Sequence, residues 1–135
     1  MNNKTVHLEM LQGVISRMAN NSFLLKGWSV ILVSALFALA AAKALALLAL
    51  LALLPAIAFW ILDAYFLRQE RLFRKLYDQV RVQKEEDIDF SMNTSVVEKQ
   101  VAPWGCVAIS VTLAIFHGTV VGAVFIILVV LTVLK

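Results

Sequence analysis

Between Phe23 and Leu67 the only formally charged residues are Lys26, Lys43 and Asp63. As one continuous helix this run would extend roughly 65 Å, about twice the hydrocarbon core of a bilayer. It therefore has to fold back once. The reversal is expected at Ala42-Lys43-Ala44, because that position leaves two crossings of about 20 residues each and lets the Lys43 ammonium reach water. The Ala/Leu tract over 38–58 favours helix and close approach but does not set a register. Pro55 is expected to kink the second crossing, since it removes a backbone hydrogen bond.

A second run, Pro103 to Leu134, contains no Asp, Glu, Lys or Arg anywhere along it. It is too long for one perpendicular span and too short for two. We divide it into an interfacial lead-in, Trp104 to Ala114, and a crossing proper, Ile115 to Leu134, ending at Lys135. The fold class that follows is an all-α membrane protein with three transmembrane helices. A composition of 61% hydrophobic and 16% charged residues lies outside the range of ordinary soluble domains and agrees with it.

The segment before Phe23 carries Glu9, Gln12, Asn20 and Asn21, which do not suit the apolar core of a cleaved signal peptide, so it is expected to be retained. From Thr5 to about Ala19, Leu8, Leu11, Ile15 and Met18 recur at spacings of three and four, the mark of an amphipathic helix. Asn20-Asn21-Ser22 is good helix-ending and capping chemistry. The segment 1–22 is therefore expected as a separate helix lying at the membrane surface or against a partner, followed by the hairpin over 23–67. The second crossing is expected to continue past the membrane, because Phe66 to Val82 keeps helix-forming composition with Leu72, Phe73, Leu76 and Val80 on one side. Gln83 to Gln100 breaks into Glu85-Glu86-Asp87, Asp89 and a Ser/Asn/Thr cluster, a loop or irregular segment. Together, 68–102 forms a polar lobe.

Basic residues are unevenly placed. Lys4, Arg17 and Lys26 precede or open the first span, Lys43 sits in the hairpin, and seven fall between the second and third spans. The positive-inside rule puts the N-terminus and the lobe in the cytoplasm, with the C-terminus outside, as expected for a multi-pass protein of a bacterial inner membrane. The net charge of +3 is too small to argue for a nucleic-acid binder. Cys106 is the one cysteine; it cannot make an internal disulfide and is expected to be a packing residue.

Several residues are candidates for chemistry. Asp63 lies near the inner end of the second span, where an ionisable group is either functional or paired, with Lys26 or Arg68 as the expected partner. His117 is a candidate proton sensor or a side chain resting at headgroup level. Ser29 and Ser34, or Thr112 and Thr119 seven residues apart, are candidate pore-lining groups. Gly118-Thr119-Val120-Val121-Gly122 is a GxxxG suited to helix packing within one subunit or between copies. Arg68, Arg71, Arg74 and Lys75 recur at helical spacing and suit an anionic regulator or lipid, although Glu70 precedes Arg74 by four residues and a solvated, topology-setting face explains the same pattern. No phosphate-cradling glycine loop, metal-ligand spacing or paired intramembrane carboxylates occur, so neither an enzyme nor a cofactor is expected.

The stretches His7 to Trp28 and Asp63 to Phe73 resemble a family of small uncharacterised bacterial three-helix membrane proteins. The functional model this resemblance suggests is similar to the channel effector of Hailong-type antiphage defence systems, in which a nucleotidyltransferase product controls an oligomeric ion channel. It covers most of residues 7–73, is weak beyond Pro103, and carries no binding residues over. It implies a homo-oligomeric channel in antiviral defence, gated through the lobe by an anionic nucleotide or oligonucleotide. The alternative is a non-conducting anchor or adaptor that recruits a soluble, operon-encoded partner through the amphipathic helix and the acidic loop.

Overall fold

The computed structural model describes residues 2–133, and within them the chain is all-helical, with no strand. Helix α1 runs from Asn3 to Lys43, α2 from Ala46 to Leu51, α3 from Leu53 to Val82, α4 from Trp104 to Ala108 and α5 from Val111 to Val133. Two short 3₁₀ helices, Glu85–Asp87 and Thr94–Gln100, lie in the strap between α3 and α4. Three segments are long and apolar enough to cross a membrane: α1, α2 continued by α3, and α5. Leu134 and Lys135, where the expected third crossing ends, lie outside the described residues.

The reversal falls at Ala44 and Leu45. Ala44 adopts a left-handed backbone, φ 50°, and its N–H closes onto the carbonyls of Ala40 and Ala41. Such a cap ends a helix by satisfying its last carbonyls, and Lys43 beside it suits the negative end of the dipole. The second crossing is interrupted at Ala52. Pro55 is the third residue of α3, so its missing N–H falls where the first turn has no helical acceptor in any case.

Two expected boundaries move. The break at Asn20-Asn21-Ser22 does not occur, because α1 passes through those residues without interruption. The reason is tertiary: Ser22 is buried and its hydroxyl is held by side chains of its own and a neighbouring helix instead of capping a new one. The lead-in before the last crossing is confined to α4, and α5 already begins at Val111, which brings Thr112 into the crossing helix.

Two apolar clusters hold the elements together. Near the membrane hairpin, Val33, Ala52, Ala56 and Val124 are buried, with Leu36, Phe37 and Leu128 against them. The small alanines let α1, α3 and α5 approach closely, the usual route to packing where hydrocarbon surrounds the helices. In the polar lobe, Leu11 meets Leu72, Leu76, Val80 and Val97, flanked by Leu8, Tyr77, Ile88 and Met92. The stripe on the N-terminal helix is thus covered by α3 and the strap, not left for a membrane surface or a partner.

The strap is also clasped to the start of α1. Asn2 caps the helix by accepting from Thr5 N–H at 2.8 Å. The Glu85 carboxylate accepts from the backbone N–H of Asn3 at 2.6 Å and of Lys4 at 3.2 Å, which places a negative charge at the positive end of the helix dipole. Lys4 Nζ donates to the Gln83 carbonyl at 2.8 Å, and His7 Nε2 lies 3.0 Å from the Ser91 carbonyl oxygen. The first carboxylate of the acidic loop is therefore engaged within the chain.

Candidate functional site: a buried Lys-Asp-His network

Asp63 is fully buried. It lies as far along the chain beyond Ala46, the first residue of α2, as Lys26 lies before Lys43, the last of α1. Both are therefore about 26 Å of helical rise from the hairpin, close to the far edge of a hydrocarbon core. Helix α5 packs against both α1 and α3 and carries His117, so three helices bring three ionisable groups together.

The contacts are direct. Lys26 Nζ is 2.6 Å from Asp63 Oδ2, and His117 Nε2 is 2.7 Å from the same oxygen. The Ser22 hydroxyl donates to Asp63 Oδ1 and accepts from Lys26 Nζ at 2.9 Å. A carboxylate withdrawn from water needs this number of donors, because an unpaired charge at this depth costs several kcal/mol, on the order of the desolvation penalty of an ion in protein. His117 Nδ1 is buried without a partner, so the tautomer that fits carries its proton on Nε2 and donates it to Asp63.

Aromatic side chains frame the network. Trp60 stacks on the His117 ring, with centroids 5.7 Å apart and planes 10° from parallel. Its indole N–H donates to the Ala108 carbonyl at 2.8 Å, an oxygen freed by the end of α4. One residue therefore fixes both the imidazole plane and the break between α4 and α5. Trp28 and Trp104 are exposed at nearly the same level, and the Trp104 indole N–H reaches toward the Ile61 carbonyl at 3.4 Å. Tryptophans gathered near one height are the usual sign of a membrane–water boundary, and Trp28 and Trp60 lie within about a turn of the network along their helices.

Of the two partners expected for Asp63, Lys26 is the one found. Arg68 turns away, donating from Nε to the Ala102 carbonyl at 3.2 Å and approaching Glu98 at 3.4 Å. His117 is fully buried and completes the site. Its helical position relative to Asp63 depends on how α5 rotates against α3, and no local spacing encodes that rotation.

The remaining candidates scatter. Ser29 is buried inside the bundle with its hydroxyl unpartnered, whereas Ser34 is exposed on another face. Thr112 and Thr119 are exposed and share an apolar groove between α1 and α5 that Lys26 also lines; the Thr119 hydroxyl donates back to the Ile115 carbonyl at 2.6 Å. The four hydroxyls therefore do not line one path in a single copy. A Cβ added at Gly118 or Gly122 would meet nothing within 4 Å, so no described helix of the same chain presses on the GxxxG. Arg74 pairs with Glu70 at 2.7 Å, while Arg71 and Lys75 border a cleft beside the strap. Cys106, expected as a packing residue, is exposed on the described chain. Among the described residues no three His, Cys, Asp or Glu side chains converge as metal ligands.

Fold and site together define an all-helical membrane protein with three helices able to span. No family model, curated protein or solved structure matches the chain.

Proposed function

We propose that the chain is one subunit of an oligomeric membrane effector, a regulated ion channel whose cytoplasmic lobe controls a permeation path formed between copies. The observation that carries this reading is mechanical. Helices α1 and α3 run unbroken from the spans into the lobe, and the Lys26–Asp63–His117 network sits where they leave the apolar level. A shift of α1 against α3 in the lobe changes the geometry of that network, and so reaches α5. A buried ion pair with few donors to spare has discrete arrangements, which is what a two-state gate requires.

The path belongs between copies because the interior of one copy is closed. Polar groups descend from Ser22 to Ser29, and beyond them Val33, Ala52, Ala56 and Val124 fill the bundle. The positive-inside count supports a cytoplasmic lobe and an external hairpin in a bacterial inner membrane. A role in antiphage defence follows from the Hailong-type functional model suggested for the small bacterial membrane proteins that residues 7–73 resemble, and it stands or falls with conduction.

Reconstitution into liposomes with ion-flux and single-channel recording tests this. Wild-type protein is expected to conduct in at least one lobe state, and Asp63→Asn and His117→Gln to change open probability while the oligomer persists. Absence of current from wild type and both variants under every condition would sink it.

The same closed interior favours a second reading, a non-conducting membrane anchor. Its recruiting surface would then be the exposed Glu86 and Asp87, since the apolar face of the N-terminal helix is already covered.

A further inference from the structure

The cations on α3 do not share one fate. Arg68 is tied to the strap through Ala102 and Glu98, and Arg74 to Glu70. The acidic residues nearby are also engaged: Glu85 on the N-terminus of α1, Asp78 facing Arg81 at 3.5 Å, and Glu86 near Lys84 at 3.8 Å. Of the α3 cations, Arg71 and Lys75 are left without an ion pair or side-chain hydrogen bond.

Both border a cleft of about 380 Å³ whose facing wall is the strap at Gln100, Val101 and Ala102, a volume in the range of small-ligand sites. Arg74 and Asp78 complete its rim, each offset by a partner of opposite charge. The excess charge in the cleft is therefore carried by Arg71 and Lys75, one turn apart on the same helix face. A freely solvated basic face accounts for the cations but not for the wall opposite them.

We propose that this cleft binds a phosphate group. The Arg71 guanidinium presents paired N–H donors that match two phosphate oxygens, and the Lys75 ammonium adds a mobile point charge. Arg71 lies eight residues beyond Asp63, about 12 Å further from the hydrocarbon core. At that height the phosphate has two sources, an anionic lipid headgroup from the side or a soluble nucleotide from the aqueous phase. In naming a ligand that acts on the lobe the inference rests on the gating reading. Binding is weighed without flux, however, so the failure of either is distinguishable from failure of the other.

Native mass spectrometry of the full-length protein released from micelles provides the test, with ATP and phosphatidylglycerol as probes and phosphatidylcholine as the control lipid. At least one anionic probe is expected to bind. Arg71→Gln/Lys75→Gln is expected to weaken it by about tenfold or more, given the usual worth of charge-assisted hydrogen bonds, while Arg17→Gln, on α1 and outside the cleft, leaves it unchanged. Lys75→Gln alone, at an exposed position, covers the case in which the double variant fails to fold. Loss of ATP assigns a soluble phosphate, and loss of phosphatidylglycerol a lipid headgroup. Binding of neither probe, or equal losses in the cleft variants and in Arg17→Gln, overturns the site.

Discussion

At Asp63 the deciding quantity is which charge can still find water when its partner is removed. Asp63 is fully enclosed, whereas the Lys26 side chain keeps 24% of its surface accessible and has an aliphatic stem long enough to lift its ammonium toward headgroups. Lys26→Met therefore strands a buried carboxylate, a change that typically costs about 3–5 kcal/mol in a buried pair. Asp63→Asn leaves a lysine that can relocate, and the amide still meets Ser22, so its cost is expected to be smaller. The double variant Lys26→Met/Asp63→Asn should recover part of the loss, giving a non-additive cycle. Thermal unfolding in detergent measures all three; additive losses, or a milder Lys26→Met, would contradict the geometry. The pairing of Asp63 with Lys26 is legible in the sequence because few charges enter the first two spans, leaving few partners. His117 is not legible, because its approach to Asp63 across 54 residues depends on the rotation of a helix whose apolar residues surround it on every side.

The elements show where local chemistry wins and where it loses. Ala42-Lys43-Ala44 announces a turn by length and charge, and the chain does turn there. Asn20-Asn21-Ser22 announces a cap by composition, yet α1 continues, since a helix packed along α3 at both its polar and its apolar ends gains more from staying whole than from a local cap. The apolar stripe Leu8, Leu11 and Ile15 is plain in the sequence, but what covers it is not, because periodicity gives a face and not its partner. The hairpin offers a test of its own. Ala44 holds a left-handed backbone, which costs an L-residue roughly 1–2 kcal/mol and glycine almost nothing. Ala44→Gly is expected to stabilise the folded chain by about 1 kcal/mol, allowing for the larger entropy glycine loses on folding. A raised midpoint in thermal or denaturant unfolding checks it, and a lowered one would mean that the turn takes another form in the bilayer.

For the molecule as a whole, the sequence leaves two uses for the GxxxG of α5, packing within the chain and packing between chains. Within the described chain it serves no packing, as Gly118 and Gly122 each face space that a methyl group could enter freely. A single copy also closes its own interior with Val33, Ala52, Ala56 and Val124, so conduction needs more than one copy, and the glycine face is the surface where backbones can come closest. Gly118→Leu/Gly122→Leu separates the two roles. Its helix propensity is higher by several tenths of a kcal/mol per site, and nothing in the same chain is displaced, so the unfolding midpoint of the isolated subunit is expected to hold or rise. The bulky side chains should nonetheless prevent close helix approach, lowering the stoichiometry seen by cross-linking in liposomes and by native mass spectrometry. A lower midpoint would show the glycines packing within the subunit after all. An unchanged stoichiometry would move the contact between copies to another face, the groove between α1 and α5, where Phe23, Gly27, Val30 and Ile31 border Lys26 and Phe116.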